Sequence, residues 1–501
     1  MACALASACG TRSGAAASGA TAAAQAWEQP VPKAQCGPAD VPEPALQGQV
    51  TLLERASGFQ GTHCNLELVG QWAGEGASWM QASLGDCAYY DQAVGMFGDS
   101  EVIPRAHHQH PGTVVIDATD SSHPVASEYL TSASMIDPWE SLKVNEKRKL
   151  LAGVFGAQGQ GGPQFDVYDI AADCRHPQLL ASVTLSDSTL AGHEGNFSPD
   201  GMTYYGADNS HNIWYAIDLA DPARPRLIAE FKPQVSNVHG LSLSTDGNRG
   251  YFVQASVPSP VYQPGAAPAN GFYIFDTSDV QQRRPNPELR LISQAQWSDG
   301  AQAQHTLPFF IHGHAYLLAL DEWGAAGSGS AATWAQACAQ GMPPYGFARI
   351  FDIGDETRPS LVSKLMLQTH DPANCWDVIG DTSENLNFGY DSHYCTVDDA
   401  DDAQIAACSY FESGLRVFDI RDPHHPKEIA YYNPPARPGY QAGSMYDITG
   451  VCGSADWTSA QPRIRRDRGE IWFTSQCNGF QIVKFSNGVL PAATAKSKTS
   501  S

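Results

Sequence analysis

The chain has 501 residues, and its 30 Lys and Arg against 53 Asp and Glu leave a formal net charge of −23. Phosphate neutralisation needs clustered basic residues, so this balance excludes a nucleic-acid binder. With 42% apolar and 17% charged residues, 46 Gly and 33 Pro, the composition is that of a soluble, loop-rich globular protein, and no apolar run nears the roughly 18 residues of a membrane span.

The first segment, MACALASACGTRSGAAASGATAAAQ, is apolar and rich in small residues before it turns into an Ala/Gly/Ser spacer. It reads as the remnant of an export leader and a flexible tether over residues 1–26. LASAC resembles a bacterial lipoprotein processing site, which makes Cys9 the expected lipidation residue. The protein is then periplasmic or cell-surface and meets the membrane only through that anchor; a soluble exported protein is the alternative. Twelve cysteines are present. Without Cys3 and Cys9 the remainder is even in number and free of CxxC metal spacing, so in an oxidising compartment it is expected to form disulfides. Cys395 with Cys408 and Cys452 with Cys477 are the expected local pairs, because each pair flanks a predicted hairpin, although spacing alone leaves connectivity open.

Along the chain one pattern recurs: an alternating apolar strand ending in Asp, a second Asp three or four places on, then Pro and another apolar strand. The copies are anchored at Asp117, Asp169, Asp218, Asp276, Asp352 and Asp419, and a degenerate seventh, FQIVKF, places Lys484 at the anchor position. An Asp at this position can accept from the backbone of the following turn, and Pro fixes φ on entry to the next strand. Each copy therefore reads as the third and fourth strands of a four-stranded antiparallel unit. Hairpins such as FSPDGMTYYGAD and LSLSTDGNRGYFVQ upstream supply the first two. Four strands in each of seven units make an all-β, seven-bladed β-propeller over 27–490, followed by a polar tail over 491–501. The seventh unit lacks an outer strand, and LELVGQW, Leu66 to Trp72, resembles the other fourth strands. It is expected to close the ring.

VVIDATDSSHP, AIDLADPARP, IFDIGDETRP and VFDIRDPHHP resemble the LVIVD repeats of secreted bacterial and archaeal β-propellers, over about residues 66 to 490. The resemblance implies the fold and is nearly silent on function, since propellers host enzymes, receptors and scaffolds.

The sharpest functional signal is a register. His193, His239 and His305 each sit eight residues before the turn glycines Gly201, Gly247 and Gly313, and His393 sits eight before Asp401. Blades three to six thus place an imidazole near the start of the innermost strand, which lines the axial channel. Converging imidazoles bind copper, iron or zinc; the same ring is equally compatible with hydrogen-bonded channel architecture. The other blades interrupt the arc, near Ala77 or Ser78, near Trp139 or Glu140, and near Asp447. Supporting or substrate-contacting candidates on the same face are His107, His108 and His110 in the run HHQH, Asp321, Glu322 and Glu194. Strand alternation is expected to turn Glu194 away from the axis. VDDADDAQ from Val397 reads as a solvated hairpin tip with weak calcium binding as the alternative, RIRRDR from Arg463 as a salt-paired loop, and AQGQGG after Gly156 as a loop. Nucleophile-elbow, P-loop and dinucleotide fingerprints are absent from the sequence.

Two functions follow. The first is an exported propeller whose histidines bind a transition metal and which, as an enzyme, performs metal-dependent oxidoreductase chemistry on a small molecule. A distant likeness to selenium-binding proteins of the methanethiol oxidase type carries over no residue. The second is a non-enzymatic surface protein that binds a protein or glycan through the loops 91–112, 256–270 and 321–346, which hold Tyr262, Trp323 and Trp334.

Overall fold

Every repeat folds into the outer half of a four-stranded antiparallel sheet, and the turn chemistry is the one the spacing predicts. Asp117 accepts from the Thr119 N–H at 2.9 Å, Asp169 from Ala171 at 2.8 Å, and Asp218 from Ala220 at 3.0 Å. Asp276 accepts from Ser278 at 2.9 Å, Asp352 from Gly354 at 2.8 Å, and Asp419 from Arg421 at 3.2 Å. Upstream, Gly201, Gly247 and Gly313 all have φ between 70° and 79°, a left-handed conformation that favours glycine, so the register residues of the inner hairpins are turn residues in fact.

The computed structural model describes residues 28–92, 110–156, 164–185, 190–233, 237–256, 270–327, 329–382, 388–439 and 451–492. Seven sheets result, giving the all-β seven-bladed propeller of four-stranded blades. The innermost strands of blades one to seven are Gln81–Leu84, Lys143–Asn145, Glu194–Phe197, Val238–Leu243, Ala301–Ile311, Ser392–Val397 and Arg463–Arg465. Apolar residues of adjacent sheets interdigitate between blades, as where Phe309 and Leu318 of blade five meet Ala406 and Phe418 of blade six.

The ring closes as expected. Leu66–Trp72 lies antiparallel to Gly479–Phe485, from Leu66 opposite Phe485 to Trp72 opposite Phe480. One strand earlier, Thr62–Cys64 adds a fifth strand to blade six along Lys427–Asn433. Ahead of both strands, the N-terminal chain forms a strap across blades five and six, pairing Val31 with Met366 and burying Glu43 against Arg416.

Cys395 bonds Cys408 and Cys452 bonds Cys477, the two expected pairs. Cys36–Cys64, Cys87–Cys174 and Cys338–Cys375 complete the set. Five disulfides place folding in an oxidising compartment outside the cytoplasm. Cys9 and the AQGQGG run lie outside the described residues.

The basic run is more than a loop: Arg463–Arg465 is the inner strand of blade seven, placed there by its pairing with Glu470–Ser475. Three of its four arginines are ion-paired, Arg465 and Arg468 with Asp86 at 3.1 and 2.8 Å and Arg466 with Asp398 at 2.5 Å, while Arg463 donates to the Gly85 carbonyl and lies over the Trp472 ring. Asp398, the first acid of VDDADDAQ, also accepts from the Gln404 and Ile405 N–H groups, which ties the hairpin tip together.

Candidate metal centre

The inner strands bring the starts of blades two to six to the axis, and three of the four register histidines meet there. His193 Nε2 lies 2.8 Å from His239 Nε2. His393 joins them through carboxylates. Glu140 Oε2 is 3.3 Å from His193 Nε2, and Glu140 Oε1 is 2.9 Å from His393 Nε2. Glu322 Oε1 is 3.4 Å from His393 Nε2 and Glu322 Oε2 is 3.9 Å from His239 Nε2. These residues form two overlapping groups that can hold a metal ion, Glu140 with His193 and His239, and Glu140 with Glu322 and His393.

The tautomers are legible from the partners. His393 Nδ1 lies 2.8 Å from the Ser459 carbonyl and His239 Nδ1 lies 3.2 Å from the Gln304 carbonyl. A carbonyl only accepts, so both Nδ1 atoms carry the proton, and in the neutral ring both Nε2 atoms present a lone pair to the axis. Backbone orientation of this kind is what a metal-binding imidazole needs. Glu140 and Glu322 converge on the buried His393 Nε2, an arrangement of acceptors that a cation would satisfy. In the protein alone a proton takes that place. Burial disfavours a charged His393, but Glu140 and Glu322 outweigh it and hold the imidazole up to about 10. Burial likewise opposes ionisation of Glu140, and the two histidines pull it well below the usual carboxylate range.

His305 does not join this group. Its Nδ1 is bound by Glu194 Oε1 at 2.7 Å. Glu194 is fully buried, and its other oxygen lies 3.9 Å from His239 Nδ1. Alternation does keep it out of the cluster, yet the side chain reaches across blade four instead of leaving the channel. Gly240 permits that crossing: a Cβ there would overlap Glu194 Oε2 and the Gln304 carbonyl. A second polar layer therefore lies behind the first. Lys143 sits 5.2 Å from the centre of the Tyr394 ring, and Gln304 Nε2 donates to the Tyr394 hydroxyl at 3.2 Å. Burial works against the charge on Glu194, but His305, His239 and Lys143 hold its carboxyl down to about 2.

Of the remaining candidates, Asp321 is spent elsewhere. Arg349, Asn270 and Trp297 bind its carboxylate, and burial pushes it up to about 6 despite the guanidinium. Its neighbour Glu322 points the opposite way along the strand His314–Trp323 and reaches the axis. His110 pairs with Glu75 at 2.9 Å and stacks on Tyr129, away from the centre. His107, His108 and Asp447 lie outside the described residues.

The register marked the position of Glu140 as an interruption of the arc. The structure makes it the carboxylate shared by both groups, held in place where its N–H donates to the His193 carbonyl at 3.1 Å. Also unanticipated is an aromatic roof. Trp79 and Phe411 pack on His393 at 5.4 and 5.1 Å, and Trp139 packs on His193 at 5.8 Å. Phe388 and Trp457 complete a buried cluster, with Trp323 against its edge. Each of Trp79, Trp139 and Trp457 precedes the inner strand of its blade, a positional signal that the histidine register obscured.

No protein-family model matches the chain, and no curated protein matches it. Among solved structures, a candidate 6-phosphogluconolactonase of Bacteroides uniformis is 12% identical, with a TM-score of 0.50 over 80% of this chain and 93% of that one. Hydrazine synthase of Kuenenia stuttgartiensis is 10% identical, with a TM-score of 0.49 over 83% and 96%. The periplasmic gluconolactonase of Pseudomonas aeruginosa is 14% identical, with a TM-score of 0.44 over 74% and 97%. At such identities the likeness is one of fold.

Proposed function

We propose that this is an exported propeller that binds a transition metal on its axis and uses it on a small molecule admitted beneath the aromatic roof. One observation carries the reading: His239 and His393 spend their Nδ1–H groups on carbonyls while their Nε2 atoms face a third imidazole and two carboxylates. Two histidines with one carboxylate, as in His193, His239 and Glu140, is a donor set of zinc hydrolases and of non-haem iron oxygenases. Iron or zinc therefore suits the centre better than copper. The ion would supply Lewis acidity and, if iron or copper, one-electron chemistry. The chain's own residues orient the ligands and hold an apolar cover over them, which favours a small, weakly polar substrate and an oxidoreductase reaction.

The five disulfides support export, and Cys9 is the proposed anchor. The Asp-anchored repeats are what support membership among the LVIVD-repeat propellers. Of the loop aromatics on which the partner-binding reading rests, Trp323 is half-buried against the aromatic cluster. Tyr262 lies outside the described residues, and Trp334 is buried against Tyr345, so that side chain is not offered to a partner.

Elemental analysis of untagged protein beside a His193→Ala, His239→Ala double variant tests the proposal. Stoichiometric iron, zinc or copper that is lost in the folded variant is expected. A folded wild-type protein with no metal above background, as purified and after incubation with each ion, would overturn it.

A further inference from the structure

The two groups on the axis share a residue, and the way they share it is informative. Glu140 points one oxygen at His193 and the other at His393. Glu322 turns Oε1 to His393 at 3.4 Å, while its Oε2 stays 3.9 Å from His239. Glu140 is therefore the carboxylate that spans two points. Ligands bonded to one tetrahedral ion at about 2.1 Å lie roughly 3.4 Å apart. The separations on the first side, 2.8 Å between His193 and His239 and 3.3 Å from His193 to Glu140, fall near that edge length. So do those on the second, 2.9 Å from His393 to Glu140 and 3.4 Å from His393 to Glu322.

We infer that the axis holds two metal ions bridged by the carboxylate of Glu140. One ion takes His193 and His239 together with one oxygen of Glu140. The other takes His393 and Glu322 with the second oxygen of Glu140 and lies under Trp79 and Phe411, with positions left for exchangeable ligands. Ions held in this way lie about 3.5–4 Å apart, the spacing at which two metals act on one bound group. The inference rests on the reading of the axis as a metal centre and extends it.

The buried carboxylates agree with this arrangement. Glu140 and Glu322 converge on the buried His393 Nε2 at 2.9 and 3.4 Å, and a single ion on the His193 side would leave this second group of donors unused.

The test is a titration of the metal-depleted full-length protein with Co(II), followed by visible absorption and by elemental analysis after desalting. Two equivalents per chain are expected for the wild type and one for His393→Ala. One equivalent in the wild type would overturn the second ion while leaving the metal centre standing; none would overturn both. The wild-type endpoint needs no variant, and the EPR spectrum of Mn(II)-loaded wild type gives an independent reading. A spin-coupled spectrum is expected, and the six lines of an isolated ion at full loading would contradict the bridge.

Discussion

Two regions of this propeller bury carboxylates, and they deal with the charge in opposite ways. In the walls and under the strap, three buried clusters of acids are answered by a guanidinium. Arg55 holds both oxygens of Glu412 at 3.0 and 2.7 Å, Arg416 spans Glu43 and Glu428, and Arg349 spans Asp321 and Asp299. On the axis, among the described residues, the ion pairs of Glu140 and Glu322 are all with histidines, and two of those rings have already placed their protons on carbonyls. The difference is one of partner: a guanidinium keeps its charge at every pH, whereas the imidazoles beside Glu140 and Glu322 can give up a proton and present a donor atom instead.

The largest effect expected from breaking this contrast is in the walls. Arg416→Leu strands Glu43 and Glu428 in the interior and should cost about 3–5 kcal/mol in urea unfolding. Metal content per folded chain should not change. A cost below about 1 kcal/mol would mean that the guanidinium is not what compensates these acids.

Acid should find the walls next. His370 is buried with Nδ1 accepting from the Leu367 N–H and Nε2 donating to the Tyr390 carbonyl, and burial, with Arg416 nearby, lowers it to about 3. The unfolded chain takes a proton near pH 6.5 that the native state refuses. Stability contributed by His370 is therefore complete above about pH 6.5 and is lost as the pH falls towards 3, by a few kcal/mol at about 1.4 kcal/mol per unit. Unfolding of wild type and His370→Asn across this range should show the steeper acid loss in the wild type; parallel profiles would remove His370 as the cause.

On the axis, Gly240→Ala sharpens the contrast without touching a ligand. Its Cβ displaces Glu194 and the Gln304 carbonyl that orients His239. Metal affinity is expected to fall about 10–100-fold in competition with a chelator, as for other supports behind metal ligands. Unchanged affinity in a folded variant would show that this layer does not position His239. The smallest effect belongs to the surface: His110→Gln should leave metal content unaltered and stability within about 0.5 kcal/mol, because its partner is Glu75 on the rim.

The sequence made the ring legible because its signals are local. An Asp two residues before the N–H it accepts is a contact within one turn, and Leu66 to Trp72 betrays itself by likeness to other outer strands. The histidine register was legible for a similar reason, since inner strands share an axis and equal offsets give equal heights. Contacts between blades were not. Glu140 lies ahead of the short strand Lys143–Asn145 and follows Trp139, whose φ is 50°, so counting back from a turn could not say which side chain faces inwards. His305 has the correct offset and is diverted by Glu194, two blades away, through a gap that exists only because residue 240 is glycine.

Diffraction at the absorption edge of the bound metal, from crystals of protein purified without chelator, tests the central claim most directly. The account predicts anomalous density about 2.1 Å from His193 Nε2 and His239 Nε2 and in contact with Glu140. An axis without anomalous density, with His193 and His239 still joined by a hydrogen bond near 2.8 Å, would contradict it.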